Sequence, residues 1–387
     1  MLGEVGSFTK GAPLSKADIS EEGTPFILYG ELYTTYNEVT NAIVRKTDKT
    51  ADSSQYSRIG DVIIPTSGET PEEIATATCV MLPNVILAGD LNIFRSTKVD
   101  GRIISYIINH IVNQDISRVA QGKSVVHIKA DELSKIRINY PNSEEQKKLI
   151  RFLEILSARI EKQCQFVEAL KSYKRGALSK LFPQNGETTP QYRFAGFTEP
   201  WERKKLGDVV SILGGNAWKS SDYNSSGTHL VVTIANVTGE TYINDTVGNR
   251  IAVDESNPYK LCENDILISL TGNVGRVSKC TKIQAVLNQR VGKITLKDTR
   301  VCKDFVFHIL HNSAFENAML DAGQGAAQKN IGNKDVENYD VSLPDYLDEQ
   351  HKVAEYLSDI DRLITHHQEK LKEIQTLKFG LLQQLFI

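Results

Sequence analysis

Two long stretches of the chain place an apolar residue at alternating intervals of four and three. In the first the positions are Leu149, Leu153, Leu156, Ile160, Gln163, Val167, Leu170, Lys174, Ala177 and Leu181. In the second they are Val353, Leu357, Ile360, Ile364, His367, Leu371, Ile374, Lys378, Leu381 and Leu385. The polar exceptions fall at matching places, Gln163 with His367 and Lys174 with Lys378. A sustained spacing averaging ~3.5 residues predicts helices that meet along a narrow coiled-coil seam. Glu144–Phe182 and Asp348–Phe386 are therefore expected to be helices on the order of 50 Å long, at ~1.5 Å per residue. Two matched seams most simply pack on each other; the alternative is that each helix faces a local core.

The match extends beyond the helices. Glu145-Gln146 and Glu349-Gln350, Gly176 and Gly380, and Leu181-Phe182 and Leu385-Phe386 all stand 204 residues apart. So do Leu2-Gly3-Glu4-Val5 and Leu206-Gly207-Asp208-Val209, as well as Gly60–Ile64 and Asn264–Ile268. Gln121-Gly122 matches Gln324-Gly325, and Pro141 matches Pro344, at 203. The chain is a tandem duplication of a unit of about 200 residues, too long for a solenoid repeat.

Each unit has a strand-rich front and a helical back. Short strands are expected at Thr24–Gly30, Asp61–Pro65, Val85–Gly89 and Val125–Ile128, and at Leu230–Ile234, Asp265–Leu270, Arg276–Lys279 and Lys293–Leu296. A shorter helix is expected over Gly101–Asn113 and over Lys303–Leu320. The fold class is thus α+β. The expected division is a first front at 1–143, a long helix at 144–182, a polar Pro-bounded linker at 183–190, a second front at 191–347 and a second long helix at 348–387. The second front opens with Gln191–Lys205, where Phe194, Phe197 and Trp201 are candidate apolar anchors. The first front has no counterpart, since its matching frame begins at Met1-Leu2. The expectation is that a similar upstream segment is missing or replaced by a new start.

The chain has 387 residues, enough for two or three domains, and a formal net charge of −3. That charge argues against a generic polyanion binder but leaves room for local basic patches. Any DNA would be held with partners that share the phosphate contacts. The absence of a long apolar run argues against a membrane span or secretion. The five cysteines (Cys79, Cys164, Cys262, Cys280, Cys302) show no close pairing, which fits a reducing cytoplasm.

Catalytic chemistry leaves few traces. No phosphate-binding G-x-x-x-x-G-K-[ST] loop occurs, and Gly323-Gln324-Gly325 lacks the context of a dinucleotide site. His308 with His311, and His366 with His367, lack Cys or carboxylate company at zinc spacing. Asn257-Pro258-Tyr259 resembles part of the N-P-P-Y tetrapeptide of adenine methyltransferases, but lacks the second proline and reads as a turn. Thr271–Arg276 (TGNVGR) is either a hairpin or a loop that lets backbone approach a phosphate beside Arg276. Two loops hold equivalent places, Arg118–Ile128 (RVAQGKSVVHI) and Gly323–Ile331 (GQGAAQKNI). Both are rich in amide, basic and small residues, which suit either a solvated loop or contacts with base edges and phosphates.

The order of these motifs resembles the specificity subunit of type I restriction-modification systems. Tyr192–Trp201 (YRFAGFTEPW), Gly176–Pro183 (GALSKLFP), Gly380–Ile387 (GLLQQLFI) and the strands followed by Thr66-Ser67-Gly68 and Thr271-Gly272 carry the resemblance, which covers nearly the whole chain. It departs in the absent first R-F-x-G-F segment. The resemblance implies that each front is a target-recognition domain reading one half of a split, asymmetric sequence in double-stranded DNA. It implies that the long helices pack as an antiparallel coiled coil that spaces the halves. Two methyltransferase subunits, carrying S-adenosylmethionine, and restriction motor-nuclease subunits would be the partners, with no cofactor and no catalysis on this chain itself. The DNA-binding candidates are Tyr33, Lys123, Ser124 and His127 in the first front. In the second they are Asn273, Arg276, Gln324, Gln328, Lys329 and Asn330, with Lys219 and Arg95 as weaker phosphate candidates. The competing readings are a coiled-coil scaffold whose fronts bind protein, and an enzyme with its own methyl-transfer or nuclease site.

Overall fold

The computed structural model describes residues 1–120, 126–184, 186–323 and 330–385. It divides into two compact units. Unit 1 comprises Met1–Gln163 with Lys370–Ile387, and unit 2 comprises Cys164–Glu369.

In unit 1 a five-stranded sheet runs in the order Gly6–Lys10, Leu91–Ser96, Asp61–Pro65, Thr78–Val80, Val39–Thr40. Neighbours are antiparallel except the last pair, which is parallel. Strand Asp61–Pro65 is buried along its whole length because side chains alternate between two covered faces. Val62 and Ile64 join a core with Phe94, Ile103, Ile104 and Ile107. Ile63 points the other way, into a core with Ile27, Val80, Leu87 and Ile93. A second sheet joins Arg45–Thr47, Thr24–Ile27 and Ile86–Leu87, and Val126–His127 pairs with Ser67–Gly68.

Unit 2 repeats this plan. One sheet runs Val210–Gly214, Val291–Leu296, Ile266–Ser269, Val277–Lys279; another runs Arg250–Ile251, His229–Val232, Ala285–Leu287, Lys260–Leu261. Ile266 and Ile268 enter the larger core with Phe305, Val306 and Phe315, and Leu267 enters the smaller one with Leu230, Val232 and Leu287. These are the positions equivalent to Val62, Ile64 and Ile63.

The helix expected over Gly101–Asn113 stops at His110, and the one expected over Lys303–Leu320 is broken in two. Gly101–His110 is followed by Asn113–Val119, and Lys303–Leu310 by Ser313–Ala322. In unit 2 the break has a local cause. Asn312 is an N-cap whose Oδ1 accepts from the Ala314 amide at 3.1 Å, so the chain starts a new helix there. The strand expected over Thr24–Gly30 stops at Ile27, and Tyr29–Leu32 turns into a 3-10 helix.

The long helices are Ser143–Leu181 and Leu347–Leu385, each of 39 residues. The repeated Pro and Glu-Gln motifs anchor their starts. Gln146 Oε1 accepts from the Asp100 amide at 2.9 Å and its Nε2 donates to the Pro141 carbonyl at 2.9 Å. Gln350 does the same with the Cys302 amide at 2.8 Å and the Pro344 carbonyl at 3.0 Å. Every seam position from Leu149 to Leu181 and from Val353 to Leu381 is buried or half-buried, and only Leu385 is exposed. The segments run antiparallel within each unit. In unit 2 Phe166 stands edge-on to His367 at 4.6 Å, Lys174 meets Asp361 at 2.6 Å, and the Tyr173 and Tyr356 hydroxyls touch. In unit 1 Ile150 and Leu153 share a core with Leu382. The polar seam positions are therefore pairing sites. Lys174 ion-pairs with Asp361 in unit 2, and Lys378 with Glu38 at 3.0 Å in unit 1.

Candidate DNA interface

A cleft of about 1300 Å³ opens on the front of unit 1. Segments far apart in sequence wall it: Lys10–Lys16, Leu28–Thr34, Thr66–Glu69, Gly89–Asn92 and His127–Lys129. Tyr33 and His127, two of the sequence candidates, both line it. His127 sits opposite Ser67 and is exposed. Tyr33 is half-buried and edge-on to Tyr29 at 6.4 Å. Burial, with Tyr29, Glu73 and Glu69 nearby, pushes its phenol up to about 12. Tyr33 is thus a neutral hydroxyl at any physiological pH, able to donate a hydrogen bond.

Three of the four carboxylates of this cleft are engaged within the fold, and Glu69 is exposed. Glu31 pairs with Arg45, Glu73 accepts from the Glu69 amide at 2.8 Å, and Asp90 accepts from the Ser67 hydroxyl at 3.1 Å. Lys10, Lys16 and Lys129 are exposed around it. Asn92 lines the wall, and its buried Nδ2 has no hydrogen-bond acceptor among the described residues. None of Lys10, Lys16, Asn92 and Lys129 carried a sequence signal, because only the fold gathers them. Arg95 is differently placed. Its guanidinium pairs with buried Asp61 at 3.2 Å and donates to the Ser54 and Tyr56 carbonyls at 2.8 and 3.0 Å. Through Nε and Nη2 it holds loop to sheet.

In unit 2 the Thr271–Arg276 stretch is the hairpin between Ile266–Ser269 and Val277–Lys279. Gly272 and Gly275 have φ of +72° and +80°, the left-handed region that favours glycine. A Cβ on Gly275 would come within 2.7 Å of Met319. Asn273 is exposed at the tip, and Arg276 is half-exposed with Nε 3.2 Å from Glu316. Asn330 bridges to Thr271, as His127 bridges to Ser67 in unit 1. His127 and Asn330 thus hold equivalent places beside the same glycine turn. Next to that turn, Asp90 in unit 1 is replaced by Arg290 in unit 2, each giving its carbonyl to the residue after the central strand. Arg290 is exposed, and sequence reading missed it. Lys219 is exposed at the start of a single 3-10 turn. Lys123, Ser124, Gln324, Gln328 and Lys329 lie outside the described residues.

The other motifs have structural roles. Asn257 Oδ1 accepts from the Tyr259 amide at 3.0 Å, so Asn257-Pro258-Tyr259 is a side-chain-capped turn. His308 is buried with Nε2 3.1 Å from the Ser358 hydroxyl. His311 is held neutral by burial, its pKa lowered to about 4, so its Nδ1 accepts from Lys174 at 2.8 Å while Nε2 donates to the Gly239 carbonyl at 2.6 Å. Among the described residues no helix is long and apolar enough to cross a membrane.

Comparison with known proteins places this architecture. The family model described as type I restriction modification DNA specificity domain matches residues 1–166 and again 198–376. The MjaVIII specificity subunit of Methanocaldococcus jannaschii is 28% identical over 280 residues, covering 68% of this chain and 64% of that protein. The EcoAI specificity subunit of Escherichia coli is 27% identical over 234 residues, covering 58% of this chain and 36% of that one. The chain thus spans less than two thirds of the length of both relatives. Among solved structures, the type I restriction-modification S subunit from M. genitalium superposes with a TM-score of 0.63 at 14% identity, covering 100% of this chain and 95% of that one. A structure described as the basis of complex assembly and conformational transition in the type I system gives 0.56 at 19% identity, covering 100% and 96%. With two copies of the matching domain and a shared fold, this chain belongs to the type I restriction-modification DNA specificity family.

Proposed function

We propose that this chain is the DNA-reading subunit of a type I restriction-modification complex and does no chemistry itself. The fronts, 1–143 and 191–347, each read one half of a split, asymmetric target in double-stranded DNA. The helices 144–182 and 348–387 set the gap between the halves. Two methyltransferase subunits, carrying the S-adenosylmethionine, dock on the paired helices and modify adenine, and motor-nuclease subunits join for restriction. This chain binds no cofactor, and it works in the cytoplasm.

One observation carries the reading. The two fronts share a backbone plan, yet equivalent places beside the glycine turn hold different chemistry, His127 and Asp90 in one and Asn330 and Arg290 in the other. A common scaffold with different donors and acceptors is what two unlike half-sites require. Duplication also offers similar surfaces to two copies of one partner. The net charge of −3 fits a complex in which partners supply much of the phosphate contact.

Selection of bound duplexes from a random pool, using the complex with its methyltransferase subunit, tests this. Two different short motifs at one fixed separation are expected, with affinity falling steeply as salt rises. A stable complex that enriches no motif would favour the protein-scaffold reading.

A further inference from the structure

Three side chains surround the glycine turn of each unit, and their chemistry differs. In unit 1 they are Glu69, Asp90 and His127, all of which line the cleft. In unit 2 they are Asn273, Arg290 and Asn330. The backbone fixes the correspondence. The Thr66 amide donates to the Asp90 carbonyl at 2.6 Å, and the Leu270 amide to the Arg290 carbonyl at 3.0 Å. Glu69 follows Gly68 as Asn273 follows Gly272. Two acids in unit 1 thus give way to a carboxamide and a guanidinium in unit 2.

The turn that carries Arg290 is fixed on both sides. Asn288 Oδ1 accepts from the Arg290 amide at 3.2 Å, and the Asn288 carbonyl accepts from the Val291 amide at 2.9 Å. The Gln289 amide donates to the Asn216 carbonyl at 2.9 Å. Gly215 lets that neighbouring segment lie close, because a Cβ there would come within 2.3 Å of the Asn288 carbonyl oxygen. The guanidinium, by contrast, is left over. Arg290 is exposed, and among the described residues no carboxylate lies within ion-pair distance of it. Other arginines of this front are held: Arg250 donates to the Thr228 carbonyl at 3.3 Å, Arg276 pairs with Glu316 at 3.2 Å and Arg300 with Asp298 at 2.7 Å. A planar donor fork on an anchored backbone loses little freedom when it binds.

We propose that Arg290 reads a guanine in the half-site bound by unit 2, donating to its N7 and O6 in the major groove. The proposal rests on the DNA reading of the fronts. Guanine is the base whose major-groove edge presents two acceptors side by side, and the guanidinium fork meets them with two N–H groups. Asp90, at the equivalent place, is an acceptor when ionised and faces the same edge with like charge density, so unit 1 rejects guanine there. A phosphate would also suit the fork, but the DNA backbone is alike in both half-sites. An exchange of acid for arginine at one place in a shared scaffold is therefore a difference between bases.

The test titrates the full chain, in complex with its methyltransferase subunit, into fluorescein-labelled duplexes carrying the selected motif and reads anisotropy. In these duplexes 7-deazaguanine replaces one guanine at a time, which removes N7 and keeps base pairing. At one guanine, in one half-site, affinity should fall by about tenfold. Arg290→Ala, with unchanged circular dichroism, should bind the unmodified duplex about tenfold more weakly and be indifferent to the replacement at that guanine. A variant that binds every duplex more weakly, yet still feels each replacement as the wild type does, would mark a phosphate contact and overturn the proposal. A motif with no guanine in either half would overturn it as well. Those two results leave the DNA reading standing, whereas a pool that yields no motif removes that reading and this proposal with it.

Discussion

Lys174 and Asp361, both almost wholly buried, meet at 2.6 Å in unit 2. Lys378, 204 residues after Lys174, meets Glu38 in unit 1 at 3.0 Å. One lysine per repeat stands in the apolar seam, and in each unit it finds a carboxylate, buried Asp361 in one and half-buried Glu38 in the other. Removing one member leaves the other charged and unpaired in the interior. Lys174→Met should therefore destabilise the protein by roughly 3–5 kcal/mol, and the double change Lys174→Met with Asp361→Leu should recover most of it. Urea unfolding midpoints of the wild type and the two variants provide the check. A double variant as weak as the single one would mean the lysine acts through its packing alone.

The second pair makes a statement about pH. Burial alone would raise the Glu38 carboxyl, but the bonds from His110 and Lys378 outweigh it and hold the pKa at about 2. A depressed folded-state pKa adds stability above the ordinary glutamate range, and the gain is lost as pH falls toward 2. With an unfolded value near 4.5 the contribution at neutral pH is on the order of 3 kcal/mol. Glu38→Gln should cost that much at pH 7, and the gap from wild type should shrink steadily below pH 5. A gap that does not change with pH would contradict the linkage.

Tyr33→Phe removes a neutral hydroxyl from the cleft of unit 1 and little else. Affinity for the cognate duplex should fall roughly fivefold, the worth of about one hydrogen bond, while the thermal midpoint stays put. Arg276→Ala should likewise weaken DNA binding and leave association with the methyltransferase subunit intact. Loss of assembly in that variant would mark Arg276, through Glu316, as a structural residue.

Removing one heptad from each long helix, 162–168 from the first and the facing 365–371 from the second, keeps the seam in phase. Each helix shortens by about 10 Å, equal to roughly three base pairs. The gap between half-sites should shorten while the half-sites keep their sequence. An unchanged gap would separate the helices from the spacing of the target.

Much of the architecture was legible because it repeats. The seam, the Glu-Gln anchors and the central strand at Asp61–Pro65 each appear twice, and a pattern seen twice is hard to mistake for composition. The break in the second short helix was not legible, because Asn312 caps a new turn inside a run that remains apolar on one face. Candidate site residues were legible only where they sit beside a repeated motif, as His127 and Asn330 do beside the glycine turn. Lys10 and Asn92 come to the unit 1 cleft through sheet pairing between distant segments, and Lys16 from a 3-10 turn, which leaves no periodic signal. Arg95 is the opposite case. Its basic side chain suggested a phosphate, but Asp61 on the neighbouring strand claims it.

The most direct test of the central claim is adenine methylation mapped across a genome after co-expression of this chain with its methyltransferase subunit. The account predicts one asymmetric motif with two specified halves and a fixed unspecified gap. A stable complex that leaves the genome unmethylated, or that methylates a single uninterrupted motif, would contradict it.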